Sequence, residues 1–165
     1  MSAPYTIRQF QSTDWREYKA IRLEALQAEP AAFASSYAEQ VLFADEHWQN
    51  RLGDANCAYF GLYYGDDLIG ISGIMCDVHH EHEAELIASY ITKEHRGKNL
   101  AHLFYQARIE WAKNKGIKRL IISHRDSNIT SRQANQRAGF QYTHRVSRLW
   151  HDDNWEDNLY YELEL

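Results

Sequence analysis

The stretch from Ala84 to Trp111 constrains this chain more than any other. An apolar run, Ala84-Glu85-Leu86-Ile87-Ala88-Ser89-Tyr90-Ile91, leads through a basic turn, Arg96-Gly97-Lys98-Asn99-Leu100-Ala101, into a helical pattern. Leu100, Leu103, Phe104, Ala107 and Trp111 recur every three or four residues, an apolar stripe of 3.6-residue period. Lys113 and Lys115 in the last turn and Gly116 after it mark the helix end. A helix that starts just past a strand end points unsatisfied amides and the positive end of its dipole outward, which suits a phosphate. Gly97 lets the backbone approach a ligand closely, Asn99 tolerates a left-handed conformation, and Arg96 and Lys98 add charge.

The flanking segments read as strands and helices in alternation. Tyr5 to Phe10 is a strand pattern, and Trp15, Tyr18, Ile21 and Ala25 are the buried stripe of a first helix stopped by Pro30. Asp14 with Glu17 resembles a capping box. Ala31 to Leu52 mixes short helical pieces with loop. Cys57 to Tyr64 and Leu68 to Cys76 form a hairpin around Gly65-Asp66-Asp67, with Gly70 and Gly73 marking a bulge or a close approach. Ile117 to Ser123 is a buried strand, Asn128 or Ser127 caps a helix ended by Gly139, and Phe140 to Trp150 with Trp155 to Leu165 form a last hairpin.

At 165 residues, with 44% hydrophobic and 25% charged residues, the chain suits a single α/β domain over 1–165. No apolar run has the length of a membrane span and no secretory pattern opens the chain, so no membrane partner and a cytoplasmic location are expected. The formal charge of −5 argues against nucleic acid. Cys57 and Cys76 are expected as buried free thiols rather than a disulfide. The run Asp77-Val78-His79-His80-Glu81-His82-Glu83 offers metal ligands, but a polar loop lacks the fixed geometry and supporting shell of a metal site, so no metal requirement is expected.

The turn at residues 96–101 resembles the acetyl-CoA pyrophosphate loop of the Gcn5-related N-acetyltransferases. Tyr90-Ile91 upstream, Asn128 and Gly139-Phe140 downstream, and the Ile21 to Leu26 and Pro30 to Tyr37 segments are similar to that family's fourth strand, closing helix, first helix and acceptor-side loop. The resemblance implies a mixed sheet of about seven strands with about four helices, strands 4 and 5 splaying around the coenzyme. It also implies acetyl-CoA as cosubstrate and an amine acceptor, in a monomer or homodimer. Coenzyme contacts fall on Tyr90, Ile91, Arg96, Gly97, Lys98, Asn99, Leu100, Ala101 and Asn128. Backbone N–H groups at Tyr90 and Ile91 would polarise the thioester carbonyl beside a strand bulge.

A lysine-like amine is neutral in roughly one molecule in a few thousand at pH 7, so a base is needed, and the family likeness points to Glu85. Where family members often carry a tyrosine acid, this chain has Asn135, which cannot supply a titratable proton. His124, Tyr90, Ser123 or solvent are the substitutes. Asn99 departs from the usual glycine, and binding survives this only in a left-handed conformation. These departures motivate an alternative, a CoA-binding module without catalysis, and the His79 to His82 cluster motivates a third, a metal-responsive protein. Six acids between Leu149 and Leu165 weakly favour a cationic acceptor.

Overall fold

The computed structural model describes residues 4–165. Seven strands, β1 (Tyr5–Gln9), β2 (Cys57–Tyr64), β3 (Asp67–Cys76), β4 (Glu83–Ile91), β5 (Arg119–Arg125), β6 (Gln141–Leu149) and β7 (Trp155–Glu164), form one sheet in the order β1-β2-β3-β4-β5-β7-β6. Five α-helices accompany them: α1 (Trp15–Ala28), the single turn α2 (Tyr37–Gln40), α3 (Asp45–Gly53), α4 (Ala101–Asn114) and α5 (Ile129–Arg137). Among the described residues no helix is long and apolar enough to cross a membrane.

Every strand pairing is antiparallel except β4 with β5, whose connection runs through α4. The two faces of the sheet carry separate cores. On one side Leu62, Ile74, Leu86, Leu120 and Tyr161 pack with Phe104, Tyr105 and Ala112 of α4. On the other, Tyr59, Ile71 and Tyr90 pack with Tyr18, Ile21, Ala25 and Leu26 of α1 and Trp48 of α3. Residues 85 and 86 show the alternation that sorts them: Leu86 joins the α4 core, while Glu85 points to the opposite face.

Several local expectations are adjusted. The β2–β3 loop is two residues, with Gly65 at φ 59° and Asp67 already in the strand. Asp14 does precede α1, but its carboxylate accepts from the Gln11 amide (2.7 Å) and the Arg8 guanidinium (2.8 Å), and Glu17 instead accepts from the Tyr63 hydroxyl. The buried face of α4 is rotated from the apolar stripe: Phe104, Tyr105, Arg108 and Ala112 are buried, while Leu103, Ala107 and Trp111 are partly exposed. Cys57 and Cys76 are free thiols, only half-buried, and burial raises the Cys57 pKa to about 11. In the 77–83 loop Asp77, His80 and Glu83 gather at the surface, while the His82 ring bonds the Gly116 carbonyl at 3.2 Å.

Candidate active site

The parallel strands β4 and β5 pair only at Glu83↔Arg119, Ala84↔Leu120 and Glu85↔Ile121. Beyond those three positions they part. The cause lies in β4, where Ala88 and Ser89 together oppose the single residue Ser72 between the pairs Gly73↔Ile87 and Ile71↔Tyr90. Ala88 takes a positive φ of 61°. A bulge of this kind bends its strand and sharpens the twist, and a left-handed alanine costs about 1–2 kcal/mol that the rest of the sheet must offset. The expected bulge is therefore present, two residues before Tyr90.

The parted strands open a cleft of about 850 Å³ that passes from the α4 face of the sheet to the α1 face. Glu85, Tyr90, Ile91, Arg96, Ala101, His124 and Asn135 all line it. Gly97, Lys98, Asn99 and Leu100 form the turn at its rim, and Asn128 lies apart from the lining, where its side-chain oxygen accepts from the Ser131 amide at 3.1 Å and caps α5.

The backbone at Tyr90 and Ile91 is not equivalent. The Thr92 N–H bonds the Ile69 carbonyl at 2.8 Å, so alternation along the ladder turns the Tyr90 amide toward β3 and the Ile91 amide toward the gap. The Ile91 carbonyl, on that same side, accepts from Arg96 Nε at 2.7 Å. Arg96 also pairs with Glu29 at 2.8 Å and lies 5.7 Å above the Tyr90 ring, which ties the turn to the end of α1.

The turn itself is built for close approach. Gly97 and Asn99 both have positive φ, 77° and 57°, so Asn99 adopts the left-handed form that its glycine-like position demands. A Cβ on Gly97 would meet nothing within 4 Å, and no side chain caps the first turn of α4. The leading amides of that helix are thus available to an anion, with the Lys98 ammonium 3.4 Å from the Tyr5 hydroxyl close by.

Burial, with a smaller contribution from the charge of Asp77, raises the Glu85 pKa above the ordinary carboxylate value, the shift a general base near neutral pH requires. Burial raises the Tyr90 phenol to about 12, and Glu24 adds to the effect, so it stays protonated. His124 is buried with both ring nitrogens engaged. The Arg125 carbonyl, 2.7 Å from Nδ1, only accepts, so that nitrogen carries the proton and Nε2 accepts from the Tyr161 hydroxyl at 2.9 Å. Desolvation lowers the pKa of this ring and keeps it neutral. No ring nitrogen is then left over for a ligand in the cleft.

Two buried polar side chains, Asn135 and Arg108, shape the α4 face of the cleft. Asn135 is buried, its Oδ1 accepts from the Tyr105 hydroxyl at 2.6 Å, and its Nδ2 has no partner among the described residues. Arg108 is 1% exposed and bonds the Phe104 carbonyl (3.2 Å), the Ser89 hydroxyl (3.0 Å) and the Gly73 carbonyl (3.4 Å). Burial lowers its pKa to about 10, still well above neutrality, so a charged guanidinium braces the bulge from beneath. On the α1 face Phe33 lines the cleft, whereas Trp48 is buried in the core and Tyr37 stands outside the lining. The acids near the C-terminus are largely neutralised by partners: Asp152 and Glu156 hold Arg125, Asp157 pairs with Arg145, and Glu162 and Glu164 pair with Arg119.

Comparison with solved structures and family models agrees with this architecture. An acetyltransferase of the GNAT family from Streptococcus pneumoniae superposes with a TM-score of 0.83 at 19% identity, over 98% of this chain and 99% of that one. A ribosomal-protein-S5-alanine acetyltransferase from Vibrio fischeri gives 0.81 at 16% identity, over 99% and 94%. A ribosomal L7/L12 alpha-N-protein acetyltransferase in complex with coenzyme A gives 0.78 at 12% identity, over 99% and 96%. At these identities the likeness speaks for the fold. No curated protein sequence matches the chain. The model of the acetyltransferase (GNAT) family matches residues 13–140, and with that match over most of its length the chain belongs to the GNAT acetyltransferase family.

Proposed function

We propose that the protein is an acetyl-CoA-dependent N-acetyltransferase, acting in the cytoplasm on the primary amine of a small molecule or peptide. The observation that supports this most is the meeting of three features in one cleft. β4 and β5 part just beyond Glu85, a bulge turns the Ile91 amide into the gap, and the Gly97 to Ala101 turn presents an uncapped helix start at the rim.

Acetyl-CoA supplies the acetyl group as a thioester, and the residues of the cleft fit it. The left-handed backbone at Gly97 and Asn99 and the leading amides of α4 receive the diphosphate, with Arg96 and Lys98 adding charge. The Ile91 N–H donates to the thioester carbonyl oxygen, where negative charge grows during attack. Glu85, on the α1 face, removes the proton of the incoming ammonium, directly or through water, and its raised pKa matches that task. Asn135 Nδ2, a buried donor without a partner, hydrogen-bonds the departing sulfur. An amide cannot protonate a thiolate, but it stabilises one, and a thiol leaves well enough for the proton to arrive from solvent. His124 supports β5 and β7 through Tyr161, with no part in proton transfer.

The test is thiol release from acetyl-CoA in the presence of a panel of primary amines. Amine-dependent release is expected. Binding of coenzyme A with no release from any amine would favour the non-catalytic module instead.

A further inference from the structure

On the α1 face of the cleft the charges do not balance. Arg22 of α1 lines the cleft at 7% exposure. Its Nε donates to Gln40 Oε1 at 3.2 Å, its guanidinium lies 5.0 Å from the Phe33 ring centre, and its NH1 is buried with no partner. It forms no ion pair with any described carboxylate. Of the other arginines lining the cleft, Arg125 pairs with Asp152 and Glu156 and the exposed Arg96 with Glu29, while the buried Arg108 is held by carbonyl and hydroxyl oxygens. A second guanidinium stands beside it. Arg51 of α3 also lines the cleft, hydrogen-bonds among the described residues only the Tyr18 hydroxyl (3.3 Å) and His47 Nε2 (2.9 Å), and is close enough to push the Arg22 pKa down, after burial itself.

Glu85 does not neutralise this pair. Among the described residues it forms no ion pair with either arginine, although all three side chains line the same cavity. Tyr59 and Ile87, which close around Gly73, line the same cavity. A buried guanidinium donor without an acceptor is costly, and a fork of this geometry matches a carboxylate or phosphate oxygen pair.

We infer that the acceptor is an amine that also carries an anionic group, a carboxylate or a phosphate, bound by Arg22 with Arg51 while its amine faces Glu85. This rests on the acetyltransferase function proposed above. The acceptor's own charge separation then mirrors that of the cleft. The prediction runs opposite to the cationic acceptor that the acid-rich C-terminus suggested.

The experiment compares acceptors matched in their amine and differing in the anion, with thiol release from acetyl-CoA as the readout. One arm sets free α-amino acids against their carboxamides, and another sets phosphoethanolamine against ethanolamine. The anionic member of at least one pair is expected to have a kcat/KM about 10- to 100-fold higher, the range of a charge-assisted hydrogen bond. The pair that discriminates identifies the anion. Arg22→Gln, which retains a donor for Gln40, is expected to collapse that ratio toward one, whereas loss of a merely structural arginine would lower both members of a pair alike and leave the ratio as it was. Equal kcat/KM within both pairs of the wild-type protein would overturn the inference and leave the acetyltransferase function standing. Absence of release from every amine would overturn both, and the wild-type ratios decide the matter even where Arg22→Gln fails to fold.

Discussion

The Tyr105–Asn135 pair offers a quantitative test of how the cleft is built. The Tyr105 hydroxyl is held protonated by burial and donates to Asn135 Oδ1 at 2.6 Å, which turns the orphan Nδ2 away from Tyr105. Tyr105→Phe strands Oδ1 as well, and one more unsatisfied buried polar atom costs about 1–3 kcal/mol. Asn135→Leu removes one orphan and creates another, the Tyr105 hydroxyl, so its net effect is smaller. With both changes no polar atom remains there, and the double variant is expected close to wild type, a coupling of about 1–2 kcal/mol. For a chain of this size each kcal/mol moves the melting temperature by about 2–4 °C, so Tyr105→Phe should melt about 2–12 °C below wild type in calorimetry. Turnover separates the two roles of the asparagine. Loss of a donor to sulfur removes about 0.5–1.5 kcal/mol of transition-state stabilisation, so Asn135→Leu and the stable double variant should both lose about 2- to 10-fold in kcat. Additive melting shifts, or a double variant with full kcat, would refute the arrangement.

Other perturbations address the base and the strand geometry. Because burial raises the Glu85 pKa, the acid limb of kcat/KM should lie above the ordinary carboxylate value of about 4.3, activity rising with pH as the carboxylate forms. Glu85→Gln should abolish that limb and cost about 10²–10⁴ in rate, and an unchanged limb would assign the base elsewhere. A Cβ at Gly73 would stand 2.7 Å from Tyr59 Cε1 and 3.2 Å from Ile87 Cγ1, so Gly73→Ala should destabilise by about 1–3 kcal/mol in urea unfolding and distort β4 next to its bulge. Unaltered stability would mean that Tyr59 moves aside freely.

Much of this site is legible in the sequence because it depends on backbone chemistry with strong residue preferences. The C-terminal end of α4 follows from Lys113 and Gly116, and the left-handed turn follows from Gly97 and Asn99. The bulge position does not, since nothing about an alanine signals a positive φ at Ala88; only pairing with Ser72 of a separate strand imposes it. Arg108 is hidden for a related reason. An arginine among Leu103, Ala107 and Trp111 reads as solvated, and only the sheet and the cleft together rotate α4 so that it is enclosed. Arg22 did leave a trace: it sits four residues after Tyr18 and four before Leu26, on the buried stripe of α1, where an unpaired charge calls for a partner.

The central claim is that the amides from Gly97 to Ala101 hold a diphosphate where β4 and β5 separate. A crystal structure of the protein grown with acetyl-CoA tests it most directly. The diphosphate oxygens should lie within about 3.2 Å of those amides, with the thioester carbonyl at the Ile91 N–H. Coenzyme bound elsewhere, or a thioester that never enters the gap between the strands, would contradict the account.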